Sequence, residues 1–295
     1  MPSHLKKVKK KMSLFVQLRS RTILDGEYNS VFKGRSLDFD DLRNYNYGDD
    51  VKDIDWKATA RTGQMLIRRY IAIRKHNILI VVNSSRSMSA LAPSGETKHQ
   101  IAVFSAGVIS YITQKHGDLI GLISSNKDSI RRFPFRSETS HIEGFLNYYD
   151  NSVNLLSPKN SINNAFDYIL KNMSEHMIII TITDPESLES VSDNTLRRLN
   201  VRHEQLCIII NDSTTANPIL KNSNVFEVNS SAIIPNFIRL NPKFQAEESE
   251  SSKKYLDSLS QRLNKNHIAN TIIDSESESI ANIIKLLEKK RRARH

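Results

Sequence analysis

Four uninterrupted apolar runs restrict this chain to a small set of folds. Asn77-Ile78-Leu79-Ile80-Val81-Val82, Leu119-Ile120-Gly121-Leu122-Ile123, Met177-Ile178-Ile179-Ile180-Thr181-Ile182 and Gln205-Leu206-Cys207-Ile208-Ile209-Ile210 are each the length of one strand. None alternates with polar residues, so each predicts a strand covered on both faces. The segments between them have helical spacing. From Thr97 to His116 the apolar positions are Ile101, Phe104, Ala106, Val108, Ile109 and Ile112, and Gly117 follows as a C-terminal stop. Further helices are predicted around 138–149, 161–173, 186–199, 247–265 and 277–292. Additional strands are predicted at 65–73, 225–228 and 268–273. Buried strands alternating with amphipathic helices give a doubly wound α/β fold, a mostly parallel sheet with helices on both faces.

The chain has 295 residues, of which 39% are hydrophobic, enough to build that core. Cys207 is its one cysteine, so no intrachain disulfide and no cysteine-based zinc site forms, and its place in an apolar run marks it as a strand core residue. No apolar run approaches the roughly 20 residues of a membrane span. The basic N-terminus is followed by too short an apolar stretch for a signal peptide. The expected location is the cytoplasm, with peripheral contact at the inner face of the membrane as an option. The net charge of +10 lies at the ends. Residues 1–22 carry seven basic side chains and no acid, and residues 285–295 carry six against Glu288, which leaves the body near neutral. These ends read as solvated basic tails that could touch an anionic membrane or nucleic acid. The expected organisation is a basic tail (1–22), a polar Asp- and Arg-rich segment packed on the main domain (23–63), and the α/β domain (64–295).

In such sheets ligands bind beyond the carboxyl ends of the strands, at the switch point. After Val82 the sequence reads Asn83-Ser84-Ser85-Arg86-Ser87-Met88-Ser89, and after Ile182 it reads Thr183-Asp184-Pro185-Glu186. Alternate hydroxyls with a carboxylate from a second strand end suit a hard divalent cation such as Mg2+. The same residues also suit plain helix capping. Ser85, Ser87 and Ser89 could satisfy backbone amides, and Asp184 followed by Pro185 could be an ordinary N-cap.

Asn83-Ser84-Ser85-Arg86-Ser87 resembles the Asp-x-Ser-x-Ser motif of the metal-ion-dependent adhesion site in von Willebrand factor A domains. Upstream, Phe39-Asp40-Asp41-Leu42-Arg43-Asn44-Tyr45, Gly48-Asp49-Asp50, Ile54-Asp55-Trp56 and Ala60-Arg61 follow one another as in the domain-of-unknown-function-58 family, which the chain resembles from about residue 24 onward. The resemblance implies a von Willebrand factor A-like fold and a metal site made of Asn83, Ser85, Ser87 and Asp184, with Ser161 as the nearest match to the threonine some relatives supply. It also implies partnership with a MoxR-type AAA+ ATPase in assembly or chaperone-like maturation. The chain departs from the motif at Asn83, where the family has aspartate. Losing that charge predicts a net loss of roughly 1–3 kcal/mol in Mg2+ binding, so a weak or partner-dependent site. In the signature segment, Trp56 is expected to be a buried packing anchor. Asp49, Asp50, Asp53 and Asp55 are expected to pair with Arg43 and Arg61.

The sequence contains no phosphate-binding loop, no dinucleotide fingerprint, no His-Glu-x-x-His and no Gly-x-Ser-x-Gly elbow. No small-molecule substrate is evident, and the reading is a non-catalytic interaction module or adaptor. The alternative is a metal-dependent hydrolase or nuclease that uses the Asp-rich segment 38–55. That alternative requires Asp49, Asp53 and Asp55 to converge, whereas a scaffold requires them to be engaged with arginines.

Overall fold

The computed structural model describes residues 3–18, 38–71, 75–159, 162–214, 225–228, 233–235 and 241–292. Contacts divide the chain into two compact units, Met1–Val31 with Asn77–His295, and Phe32–His76. The larger unit begins with helix α1 (His4–Leu18). The smaller unit contains β1 (Asp38–Asn44), a 3-10 turn (Val51–Asp53), α2 (Trp56–Thr62) and β2 (Leu66–Ile71), with β1 and β2 paired antiparallel. The chain then returns to the larger unit with β3 (Asn77–Asn83), a 3-10 turn (Arg86–Ser89), α3 (Lys98–Lys115), β4 (Leu119–Ser125), β5 (Ile130–Arg136), α4 (Thr139–Ser152) and α5 (Ile162–Asn172). It continues as β6 (Ile178–Thr183), α6 (Pro185–Glu189), α7 (Asp193–Arg202), β7 (Glu204–Ile210), the two-residue strands β8 (Val225–Phe226) and β9 (Ile233–Ile234), α8 (Pro242–Lys265), β10 (Ala269–Ile273) and α9 (Glu276–Arg292).

The central sheet has the order β10-β7-β6-β3-β4-β5. Every neighbouring pair is parallel except β4 and β5, so the expected mostly parallel α/β fold is present. The apolar runs explain the burial. Residues 78–83 of β3 and all of β6 are buried, as strands covered on both faces must be. On one face Leu79, Val81, Ile179, Cys207 and Ile209 pack with Phe166 and Ile169 of α5, Leu196 and Leu199 of α7, and Leu256 and Leu263 of α8. The other face carries α3, which is buried along most of its length and contacts β3, β4, β6 and β7, with α9, α4 and α1 against its outer side. A helix apolar all round is one buried all round.

Three elements depart from expectation. The single helix predicted over 186–199 is two helices, because Ser192 accepts the Thr195 amide N–H and starts α7 afresh. β5 was not anticipated, since its side chains are largely exposed and Pro134 interrupts it, both compatible with an edge strand. It lies so close against β4 that a Cβ on Gly121 would meet the Phe133 carbonyl oxygen at 2.9 Å, an approach that glycine allows. The basic N-terminal tail is, over residues 4–18, a docked helix. Leu5, Val8 and Met12 form one apolar stripe and are buried. Lys7 and Lys11 bond the Glu276 carboxylate at 2.5 and 2.6 Å, and Glu143 accepts from the Leu5 amide N–H at 2.8 Å. Among the described residues no helix is long and apolar enough to cross a membrane.

Candidate functional site

β3 runs at the centre of the sheet with β4 on one side and β6 on the other, so the winding reverses between β3 and β6. Asn83 ends β3, and Asp184 directly follows β6. The Asn83 amide N–H donates to Asp184 Oδ1 at 3.1 Å and to Ser187 Oγ at 2.8 Å. Its orientation is settled by the other end of the amide, where Oδ1 accepts the Ser85 backbone N–H at 3.0 Å. Ser85 Oγ and Ser87 Oγ lie 2.8 Å apart, and the Tyr149 hydroxyl donates to the Asn83 carbonyl at 3.1 Å. Asn83, Ser85, Ser87, Asp184 and Ser187 are all buried. The structure therefore brings together four of the five residues named from the sequence. Ser161 lies outside the described residues.

The capping explanation fails at its two main positions. Neither Ser85 nor Asp184 makes a side-chain cap hydrogen bond, although each sits at the N-cap of a short helix. Ser85 Oγ bonds Ser87 Oγ instead, and Asp184 accepts from Asn83 and Lys98. Ser89 stands apart and donates to the Arg86 carbonyl at 2.5 Å.

Two further residues complete the cluster, and both were missed in the sequence. Lys98 is the first residue of α3, after Thr97 and its capping box with Gln100. Its side chain is 2% exposed, and its ammonium donates to Asp184 Oδ2 at 3.3 Å and to Asp212 Oδ1. Asp212 lies just past β7, at the third strand end, and is half exposed. Burial alone would raise the Asp184 carboxyl, but the Lys98 charge and hydrogen bonds from Ser187 and Ser87 outweigh it and hold the group below its ordinary range. Burial would likewise lower the Lys98 ammonium, and the Asp184 and Asp212 charges outweigh that and raise it. A signal for Lys98 was present in the sequence. A lysine in the first turn of a helix faces the positive end of the helix dipole, a place where it needs carboxylates.

This donor set suits a divalent cation poorly. Asn83 presents N–H groups to the cluster, the two serine hydroxyls bond each other, and an ammonium already holds one oxygen of Asp184. Among the described residues no three His, Cys, Asp or Glu side chains gather as metal ligands.

The signature unit is organised differently from expectation. Arg43 grips Asp49 with two hydrogen bonds of 2.8 and 2.6 Å, and the Asn46 amide N–H joins at 2.9 Å. Asp50 accepts the Lys52 amide N–H, and Asp55 accepts those of Lys57 and Ala58 as the N-cap of α2. The expected bridge from Arg61 is absent. Its guanidinium donates to the Lys57 carbonyl at 3.4 Å and forms no ion pair with Asp49, Asp50, Asp53 or Asp55. Two of these acids are occupied by backbone amides, so Arg61 is not needed to compensate them. Trp56 is not buried either. It starts a two-turn helix whose buried residue is Ala58, and it is 63% exposed. Asp49, Asp50 and Asp55 are thus each engaged where they stand.

Curated relatives matching the chain include the uncharacterized protein Rv1480 of Mycobacterium tuberculosis, 29% identical over 130 residues, and the uncharacterized protein Mb1516 of Mycobacterium bovis at the same identity. The matched stretch is 44% of this chain and 41% of each relative, so the chain spans less than half the length of these relatives. Among solved structures, the chain is similar to BatB from Bacteroides thetaiotaomicron, with 17% identity and a TM-score of 0.47 over 74% of this chain and 99% of that one. It is similar to an aerotolerance-related membrane protein from Bacteroides fragilis, with 17% identity and a TM-score of 0.46 over 72% and 99%. It is also similar to the von Willebrand factor A domain of SpRpn10, with 12% identity and a TM-score of 0.36 over 70% and 94%. The mostly parallel sheet with helical layers on both faces is the doubly wound α/β fold. The family model for the protein of unknown function DUF58 matches residues 41–219, more than half of the chain, and spans the signature segment and the strand-end cluster together. The chain belongs to the DUF58 family.

Proposed function

We propose that this chain is a non-catalytic protein-interaction module, an adaptor that works with a MoxR-type AAA+ ATPase in assembly or chaperone-like maturation. One observation carries the reading. In the smaller unit Tyr47, Val51, Trp56 and Met65 are all exposed, although each is a residue type that gains by leaving water. Exposed Trp and Tyr side chains are the kind that anchor protein interfaces. The family resemblance supports the choice of ATPase. The hydrolase alternative needs Asp49, Asp53 and Asp55 together, and it loses ground because Asp49 is held by Arg43 and Asp55 caps α2. On this reading the protein acts in the cytoplasm, and Lys6, Lys9 and Lys10 of α1 would meet any anionic surface.

Trp56 is the single tryptophan of the chain, so it reports on its own surroundings. Titrating the protein with a MoxR-type ATPase from the same genome should shift its emission to the blue in a saturable way. Trp56→Ser should weaken binding by about 2 kcal/mol or more and leave the melting temperature unchanged. Absence of binding overturns the partner, and ATP turnover by the purified chain overturns the non-catalytic reading.

A further inference from the structure

The strand-end cluster contains a cation of its own. The Lys98 ammonium enters from the first turn of α3, is 2% exposed, and binds carboxylates from two other strand ends, Asp184 after β6 and Asp212 after β7. Around it, Asn83 presents N–H groups to Asp184 and Ser187, and Ser85 and Ser87 bond each other. We propose that Lys98 is the resident cation of this site, occupying the role a divalent ion would otherwise fill, so that the surface works without metal.

Three features support the assignment. First, the buried carboxylate already has its cation. The buried Asp184 carboxylate has a buried ammonium as its counterion, and the second carboxylate on that ammonium, Asp212, is half exposed in its side chain. An ion placed against Asp184 would add two positive charges within a few ångströms of a buried third. Second, the position is anchored. Thr97 caps α3 through the Gln100 amide N–H, and Gln100 answers with a bond to the Thr97 amide N–H, which fixes the turn that carries Lys98. Third, Asn83 is the residue this arrangement requires. An aspartate there would bring a third carboxylate to a single ammonium, whereas the asparagine amide donates to Asp184 and supports the pair. Asn83 and Lys98 thus act together at this site. Restoring the aspartate alone does not restore a metal site, because the ammonium remains.

Titration calorimetry with Mg2+ alone tests this on the full chain without any partner, so the outcome is independent of the adaptor reading. The wild type and Asn83→Asp should both give no saturable heat up to millimolar Mg2+. Lys98→Met combined with Asn83→Asp should bind Mg2+ at least about tenfold more tightly than Asn83→Asp, because the like charge of the ammonium is gone. A Mg2+-dependent rise in melting temperature should appear in that double variant alone. Saturable sub-millimolar binding by the wild type, or a gain from Asn83→Asp with Lys98 in place, overturns the proposal. If the double variant does not fold, the wild type and Asn83→Asp still decide the matter.

Discussion

The Lys98–Asp184 pair illustrates what a buried charge demands of its neighbours. Removing one member leaves the other desolvated and uncompensated, a cost of about 3–5 kcal/mol. Asp184→Asn should therefore lower stability by that amount, measured by denaturant unfolding at neutral pH. The pH dependence follows from the direction of the shift. The folded Asp184 carboxyl titrates below its ordinary 3.8, so near pH 4 the unfolded chain binds more protons than the folded one. The stabilisation is complete above the ordinary value and is lost as pH falls through it toward the folded one. The wild type should lose stability in that window, and Asp184→Asn should lose less. An identical acid profile in both proteins would show that Asp184 is not held this way. At this scale part of the site was legible in the sequence. Asn83, Ser85, Ser87 and Asp184 follow from the rule that sites sit at strand ends, and the structure gathers them. Asp212 was not legible, and Lys98 only as a first-turn lysine in need of carboxylates, because the partners of each depend on where α3 and β7 bring them. Trp56 was misread because aromatic residues usually pack, and the two-turn helix that carries it has too small a buried face.

At the scale of elements, hydrophobic pattern decided what could be read. β3, β4, β6 and β7 were visible because strands buried on both faces leave uninterrupted apolar runs. β5 left no such run, since as an edge strand it exposes most of its side chains. α1 was hidden for a different reason. Its stripe of Leu5, Val8 and Met12 is narrow and set among five lysines, so charge dominated the reading. The structure pairs Lys7 and Lys11 with Glu276 and puts the stripe against α3 and α4. Val8 lies so near α3 that a Cβ on Gly107 would meet it at 2.9 Å. A solvated tail would tolerate any substitution at these positions, and a docked helix would not. Leu5, 1% exposed, should cost about 2–5 kcal/mol when changed to alanine, and the exposed Lys6 almost nothing. Equal melting temperatures for Leu5→Ala and Lys6→Ala would return residues 4–18 to the status of a tail.

At the scale of the molecule, the two units differ in how much they bury. The larger one has a six-stranded sheet with apolar side chains packed on both faces, among them Ile78, Ile80, Val82, Ile179, Ile182 and Ile208 at 0% exposed. In the smaller unit Ile54, Ala58 and Ile67 are the buried apolar side chains among the described residues, and its sheet has two strands. A two-stranded sheet with so small a core is marginal alone. Local opening free energy scales with buried apolar contact, so the two units should open on separate scales. Hydrogen exchange followed by mass spectrometry should find the amides of β3, β6 and β7 protected at the level of global unfolding. The amides of β1, α2 and β2 should exchange orders of magnitude faster. A partner that covers Trp56 and its exposed neighbours would bury apolar surface the smaller unit lacks, and should slow exchange there while leaving the central strands unchanged. That selectivity ties the weak unit to the proposed function, because a surface left apolar for a partner is stability withheld from the free chain. Uniform protection across both units in the free protein would mean that the smaller unit draws stability from elsewhere, and that its exposed side chains are not held open for a partner.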